Sequence, residues 1–71
     1  MSEYVIVIER GGDGSFSAYV PDLPGCVSCG DTLEELQVNV RAAVQLHIES
    51  LREYGEPVPP PTATVDRVVA A

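Results

Sequence analysis

Val20-Pro21-Asp22-Leu23-Pro24-Gly25-Cys26-Val27-Ser28-Cys29-Gly30-Asp31-Thr32-Leu33-Glu34-Glu35 is the stretch on which the fold of this chain turns. Pro24-Gly25 suits the centre of a type II turn, because proline presets φ at the first central position and glycine supplies the positive φ of the second. Thr32, followed three residues later by Glu35, has the form of a capping box. In that motif a hydroxyl and a carboxylate each satisfy an N–H left free at a helix start. The segment reads as strand, tight turn, short strand, helix.

Upstream, Tyr4–Glu9 is rich in β-branched and aromatic residues. Strand alternation sends Tyr4, Ile6 and Ile8 to one side and Val5, Val7 and Glu9 to the other. Both sides are largely apolar, which predicts a central strand covered on both faces. Gly11-Gly12-Asp13-Gly14 is a hairpin loop, with Asp13-Gly14 its strongest turn signal. Phe16, Ala18 and Val20 then alternate with Ser17 and Tyr19, giving a second strand with one core face and one wetter face.

Downstream, the period becomes helical. Leu33, Leu36, Val40, Ala43, Val44, His47, Leu51 and Tyr54 fall on one stripe. Gly55 stands where a helix C-cap belongs, Pro57 prevents continuation, and Arg52 lies in the last turn, where the macrodipole favours a cation. Such a helix runs about 33 Å, whereas a six-residue strand covers about 20 Å. The helix overhangs its sheet and also carries a second apolar set, Val38, Ala42 and Leu46. One small sheet cannot cover both, so the overhang or this second set is expected at an oligomer interface.

Pro57-Val58-Pro59-Pro60-Pro61 is a stiff, extended return. The β-branched residues of 62–69 then read as a last strand, with a frayed tail as the alternative. The expected boundaries are strands near 3–10, 15–21, 26–29 and 62–69, with a helix near 33–54, all in one domain, 1–71. The order is β-β-β-α-β. A right-handed crossover returns the last strand beside the first and parallel to it. The expected fold class is α+β: a four-stranded mixed sheet of order 3-2-1-4 with one long helix on one face.

Seventy-one residues make one small domain, and two cysteines exclude a disulfide framework. Chains of this size often rely on a partner. The net charge is −7, from eleven acidic residues against four arginines and no lysine. That opposes phosphate binding, so direct nucleic-acid contact is not expected. It suits a basic protein partner, and equally a small acidic domain that simply stays in solution. No basic residues precede the short apolar run Val5–Ile8, which is itself too short to span a membrane. The expectation is a cytoplasmic protein with no membrane contact.

The ordered set Tyr4–Glu9, Gly/Asp loop, Phe16–Val20, Pro21-Asp22-Leu23-Pro24-Gly25-Cys26, Gly30-Asp31-Thr32 with Glu34-Glu35, then Gly55-Glu56-Pro57-Val58-Pro59 resembles the HicB-like antitoxin family. The resemblance runs from Tyr4 to Pro61. Its signature residues here are Pro21, Asp22, Pro24, Gly25, Gly30 and Thr32. It implies a truncated ribonuclease-H-like fold and a partner similar to HicA, a small basic ribonuclease with a double-stranded-RNA-binding-like fold. Neutralisation would follow when an acidic surface competes with RNA for the toxin's basic face and covers its catalytic histidine. Glu34, Glu35, Glu49 and Glu53 are the candidate toxin-facing acids. Many relatives carry a C-terminal DNA-binding module. This chain stops near the last strand, so the expectation is a short form without repressor activity.

Cys26-Val27-Ser28-Cys29 is a C-x-x-C, but zinc needs four ligands and His47 is the sole histidine. A redox pair should open a helix, where the dipole lowers a thiol pKa. These two read instead as small, semi-buried thiols. His47 has no legible nucleophile or substrate site beside it. A two-metal nuclease needs converging carboxylates. Glu9, Asp22, Asp31, Glu34 and Glu35 are the candidates; helix entry explains the last three, and Asp22 is expected to bond nearby backbone N–H groups. No cofactor, metal or catalytic residue is assigned, and the chain is not expected to be an enzyme. Two further classes stay open: a regulatory or structural homo-oligomer (dimer or tetramer) without a toxin, and a small metal-binding or hydrolytic module.

Overall fold

The computed structural model describes residues 3–70. Its turns form where the residue types call for them. Leu23 O accepts from Cys26 N at 3.0 Å, and Gly25 sits at φ 85°, the positive value that a type II turn needs. Three antiparallel strands result, β1 (Val7–Arg10), β2 (Phe16–Tyr19) and β3 (Val27–Gly30), followed by one helix, α1 (Leu33–Glu53). Sheet order is β1-β2-β3. Ile8 pairs with Ala18 and Ala18 with Ser28; Val7 pairs with Tyr19 and Tyr19 with Val27.

The helix is closed at both ends by its own chain. Thr32 Oγ1 accepts from Glu35 N at 3.1 Å, while Glu35 Oε1 takes the N–H of Asp31, one residue before the usual capping-box partner. At the far end Glu56 N donates to Leu51 O at 2.8 Å and Gly55 N to Arg52 O at 3.1 Å, with Gly55 at φ 70°. That pair of bonds is a Schellman motif.

Helix α1 lies on β3 and β2 and makes no close approach to β1. Gly30 permits the contact: a Cβ there would stand 2.6 Å from Leu36 N. The core comprises Ala18, Val20, Leu23, Cys26, Leu36 and Val40, with Tyr4, Ile6, Phe16, Ala43, Val44, Ile48 and Leu51 packed around it. The expected stripe is therefore buried in its middle only. Leu33 and Tyr54, at its two ends, are exposed.

The α+β class is as expected, but the four-stranded order 3-2-1-4 is not. Among the described residues the segment 62–69 joins no ladder, so the sheet has three strands, all antiparallel. β1 is an edge strand with one open face, not a central strand covered on both. The parallel fourth strand that the ribonuclease-H-like reading needed is missing. The physical reason lies in the return path. Tyr4 Oη donates to Pro59 O, and the Asp22 carboxylate accepts from Thr62 N, Thr62 Oγ1 and Ala63 N. Tyr4 leads into β1 and Asp22 follows β2, so the chain crosses the end of the sheet instead of running up along β1. β1 also starts at Val7, later than the expected residue 3. Its partner strand stops at Tyr19: Val20 still donates to Cys26 O, but its carbonyl accepts from Leu23 N in the turn and Pro21 has no N–H to carry the ladder on.

Candidate functional site

Successive helix residues turn by about 100°, so positions three or four apart line one face. Val38, Ala42 and Leu46 form one such line, opposite the Leu36–Val40 core stripe. Val38 and Leu46 are 69% and 68% exposed, and Ala42 is exposed as well. Glu35 lies three residues before Val38, Glu49 three after Leu46, and Glu53 four beyond Glu49. All three acids are exposed, as is Glu34 on the flank. The apolar set and the acidic set, assigned to separate interfaces from sequence, share one outer face of α1. An apolar strip with charged ends has the anatomy of a protein-binding patch, in which a dry centre is ringed by polar groups.

A second exposed surface was not anticipated. Residues paired across a sheet share a face, and the open face carries the row Val7–Tyr19–Val27. Tyr19 is 43% and Val27 65% exposed. The alternation of β2 hinted at Tyr19; the row itself depends on register, which alternation does not supply.

The signature residues act on structure. Pro24 and Gly25 make the turn, Gly30 admits the helix and Thr32 caps it. Asp22 does bond backbone N–H groups, but they lie forty residues away. These bonds hold its carboxyl below the usual carboxylate range. Asp13 is likewise lowered by the Ser15 hydroxyl and amide, fixing the β1–β2 loop. Arg10 lies over the Phe16 ring, 5.5 Å from its centroid.

The remaining candidates are dispersed. Cys26 is in the core and burial pushes its thiol up, whereas Cys29 is exposed on the open face opposite Ser17. His47 is half-buried on the inward side of α1. Glu9 is exposed opposite Ser17 on β1, remote from the helix start that holds Asp31, Glu34 and Glu35. Among the described residues no three His, Cys, Asp or Glu side chains gather as a metal ion would require. No helix among them is long and apolar enough to cross a membrane.

The sequence and the fold both have counterparts among known proteins. A 14.9 kDa protein of the rep-hol intergenic region of Haemophilus phage HP1 is 46% identical over 56 residues, covering 79% of this chain but 41% of the phage protein. The chain thus spans less than half of that relative. A UPF0150 protein of Thermoplasma acidophilum is 37% identical over 80% of this chain and 83% of its own length. A UPF0150 protein of Synechocystis is 45% identical, over 79% of this chain and 71% of its own. Among solved structures, a chain of a HicA3 and HicB3 toxin-antitoxin complex superposes with a TM-score of 0.70 at 33% identity, covering 84% of this chain and 70% of that one. The family model described as HicB-like antitoxin of bacterial toxin-antitoxin system matches residues 4–71. A turn–strand–capped-helix core matched over nearly its whole length makes this chain a member of the HicB-like antitoxin family of bacterial toxin–antitoxin systems.

Proposed function

We propose that this chain, acting as a single HicB-like domain, neutralises a small basic HicA-like toxin by direct contact and turns over no substrate. The observation that carries the reading is the outer face of α1, where Val38, Ala42 and Leu46 lie between Glu35, Glu49 and Glu53. The likeness to a chain of a HicA3–HicB3 complex supports the class of partner.

Charge selects between a toxin and a second copy as the occupant of that face. Two copies meeting there would set their glutamates near one another, and like charges across an interface disfavour the wrong pairing. A basic partner gains instead, both in encounter rate and in bound-state complementarity. Surface area independently calls for a partner of some kind. The chain exposes 5612 Å², against about 4300 Å² for a folded monomer of its mass. The difference exceeds the ~800 Å² that each side of a standard interface buries.

The test is cleavage of RNA by a HicA-like toxin with this protein added. The wild type should suppress cleavage at stoichiometric ratio. Glu49→Arg/Glu53→Arg, which leaves the Glu35 cap in place, should lose that suppression while keeping its helical circular dichroism. Full suppression by the double variant would remove this face from the account; no suppression by the wild type would remove the toxin.

A further inference from the structure

Among the described residues, neither the outer edge of β1 nor the segment 64–70 has a strand partner in the chain's own fold. β1 is the edge of the sheet, so one row of its backbone N–H and C=O groups faces outward, a template for another strand. The segment 64–70 has strand composition and no ladder of its own. Val65, Val68 and Val69 are 68%, 92% and 97% exposed. A tail this apolar gains little by remaining in water.

We propose that two copies of this chain exchange these tails: Val65–Val69 of each copy adds antiparallel to β1 of the other. One alignment is singled out by charge. It sets Glu9 opposite Arg67, Arg10 opposite Asp66, Ile8 opposite Val68 and Val7 opposite Val69. Opposite charges and apolar pairs then meet across the strands, the pairings that stabilise a sheet. No other register, parallel or antiparallel, pairs both charges with their opposites. The parallel alignment that opposes the two charged dipeptides sets Glu9 against Asp66 and Arg10 against Arg67, which repel.

The faces agree as well. Ile8 and Arg10 share the helix-side face of the sheet with Ala18 and Phe16. In the exchanged strand Val68 and Asp66 fall on that side, so Val68 covers Ile8, which is otherwise 41% exposed. The chain's own β1 is not where its tail leads. Asp22 grips Thr62 and Ala63 beside the β2–β3 turn, and the residues beyond emerge there. Reciprocal exchange of a terminal element is a low-cost route to a closed dimer, and the added strand ends the exposure of the edge. The proposal is independent of any toxin, because it uses β1 and the tail and leaves the outer face of α1 free.

The test is sedimentation velocity on three preparations of the whole chain: wild type, Glu9→Arg and Arg67→Glu. Both positions are exposed, and circular dichroism checks that each variant is folded. The wild type should be a dimer. Each charge reversal should raise its dissociation constant by about tenfold or more, since both copies of the pair become repulsive. Mixing the two variants should restore dimers. At one junction the arginine introduced on β1 of one chain meets the glutamate introduced on the tail of the other. At the second junction Glu9 and Arg67 pair as in the wild type. Monomeric wild type would overturn the proposal. So would a dimer indifferent to either reversal, or two variants that stay apart on mixing.

Discussion

Gly25 and Gly30 are both glycines for reasons that a single methyl group exposes, and the reasons differ. Gly25 is at φ 85° with open space where a Cβ would go, so a side chain there is strained by backbone alone. Gly30 has no such dihedral, but a Cβ would collide with the Leu36 backbone. Gly25→Val should therefore cost about 1–2 kcal/mol. Gly30→Ala should cost about 1–3 kcal/mol by forcing α1 off β3. Gly12→Ala, with nothing within 4 Å and no positive φ, should leave the melting temperature nearly unchanged. Thermal unfolding of the three variants checks the ranking. Asp22 makes a second prediction at this scale. Its folded pKa is lowered by Ala63 and Thr62, so its hold on the tail is complete above the ordinary carboxylate value and is lost as pH falls through the depressed one. The protection of the Thr62 and Ala63 amides, relative to an unfolded chain at the same pH, should fall in that acid window, and Asp22→Asn should bring the lower protection to neutral pH. Undiminished protection in the variant would mean that the carboxylate is not the anchor.

At the scale of elements, what sequence made legible was local. The Pro24-Gly25 turn, the Thr32 cap, the Gly55 stop and the helix between them each depend on neighbours within about four residues, and each is where the residue types put it. The last strand was lost because its place depended on a competition. Thr64–Val69 has the composition of a strand, but its route is decided upstream by Tyr4 and Asp22, whose partners lie 55 and 40 or more residues away. No period in the tail encodes that. The capping box slipped for a smaller reason, since the Glu35 carboxylate reaches Asp31 N instead of Thr32 N. On α1 the spacing of Val38, Ala42 and Leu46 placed them off the core stripe, and the same spacing could have shown that Glu35, Glu49 and Glu53 lie beside them. Leu46→Glu should leave stability within about 0.5 kcal/mol of wild type, being a surface change. It should weaken toxin binding by about tenfold or more, as loss of a central apolar contact does. Calorimetric titration and a melting curve read the two effects separately.

For the whole molecule, the balance of a six-residue buried core against an excess of exposed surface is the feature that organises the rest. The helix has 21 residues, its buried residues are Leu36 and Val40, and each strand has four. A sheet of about 13 Å strands cannot cover a helix of about 32 Å. Three surfaces are left over: the outer face of α1, the Val7–Tyr19–Val27 row and the β1 edge. Three carboxylates are committed to structure: Glu35 at the helix start, Asp13 in the β1–β2 loop and Asp22 as the anchor of the tail. Antitoxin action through the helix face is the account's central claim. Hydrogen exchange of the folded protein with and without a HicA-like toxin tests it most directly. The account predicts that protection rises over residues 35–53 of α1 and leaves the Gly11–Gly14 loop unchanged; protection confined to the loop or the open sheet face, with α1 unaltered, would contradict it.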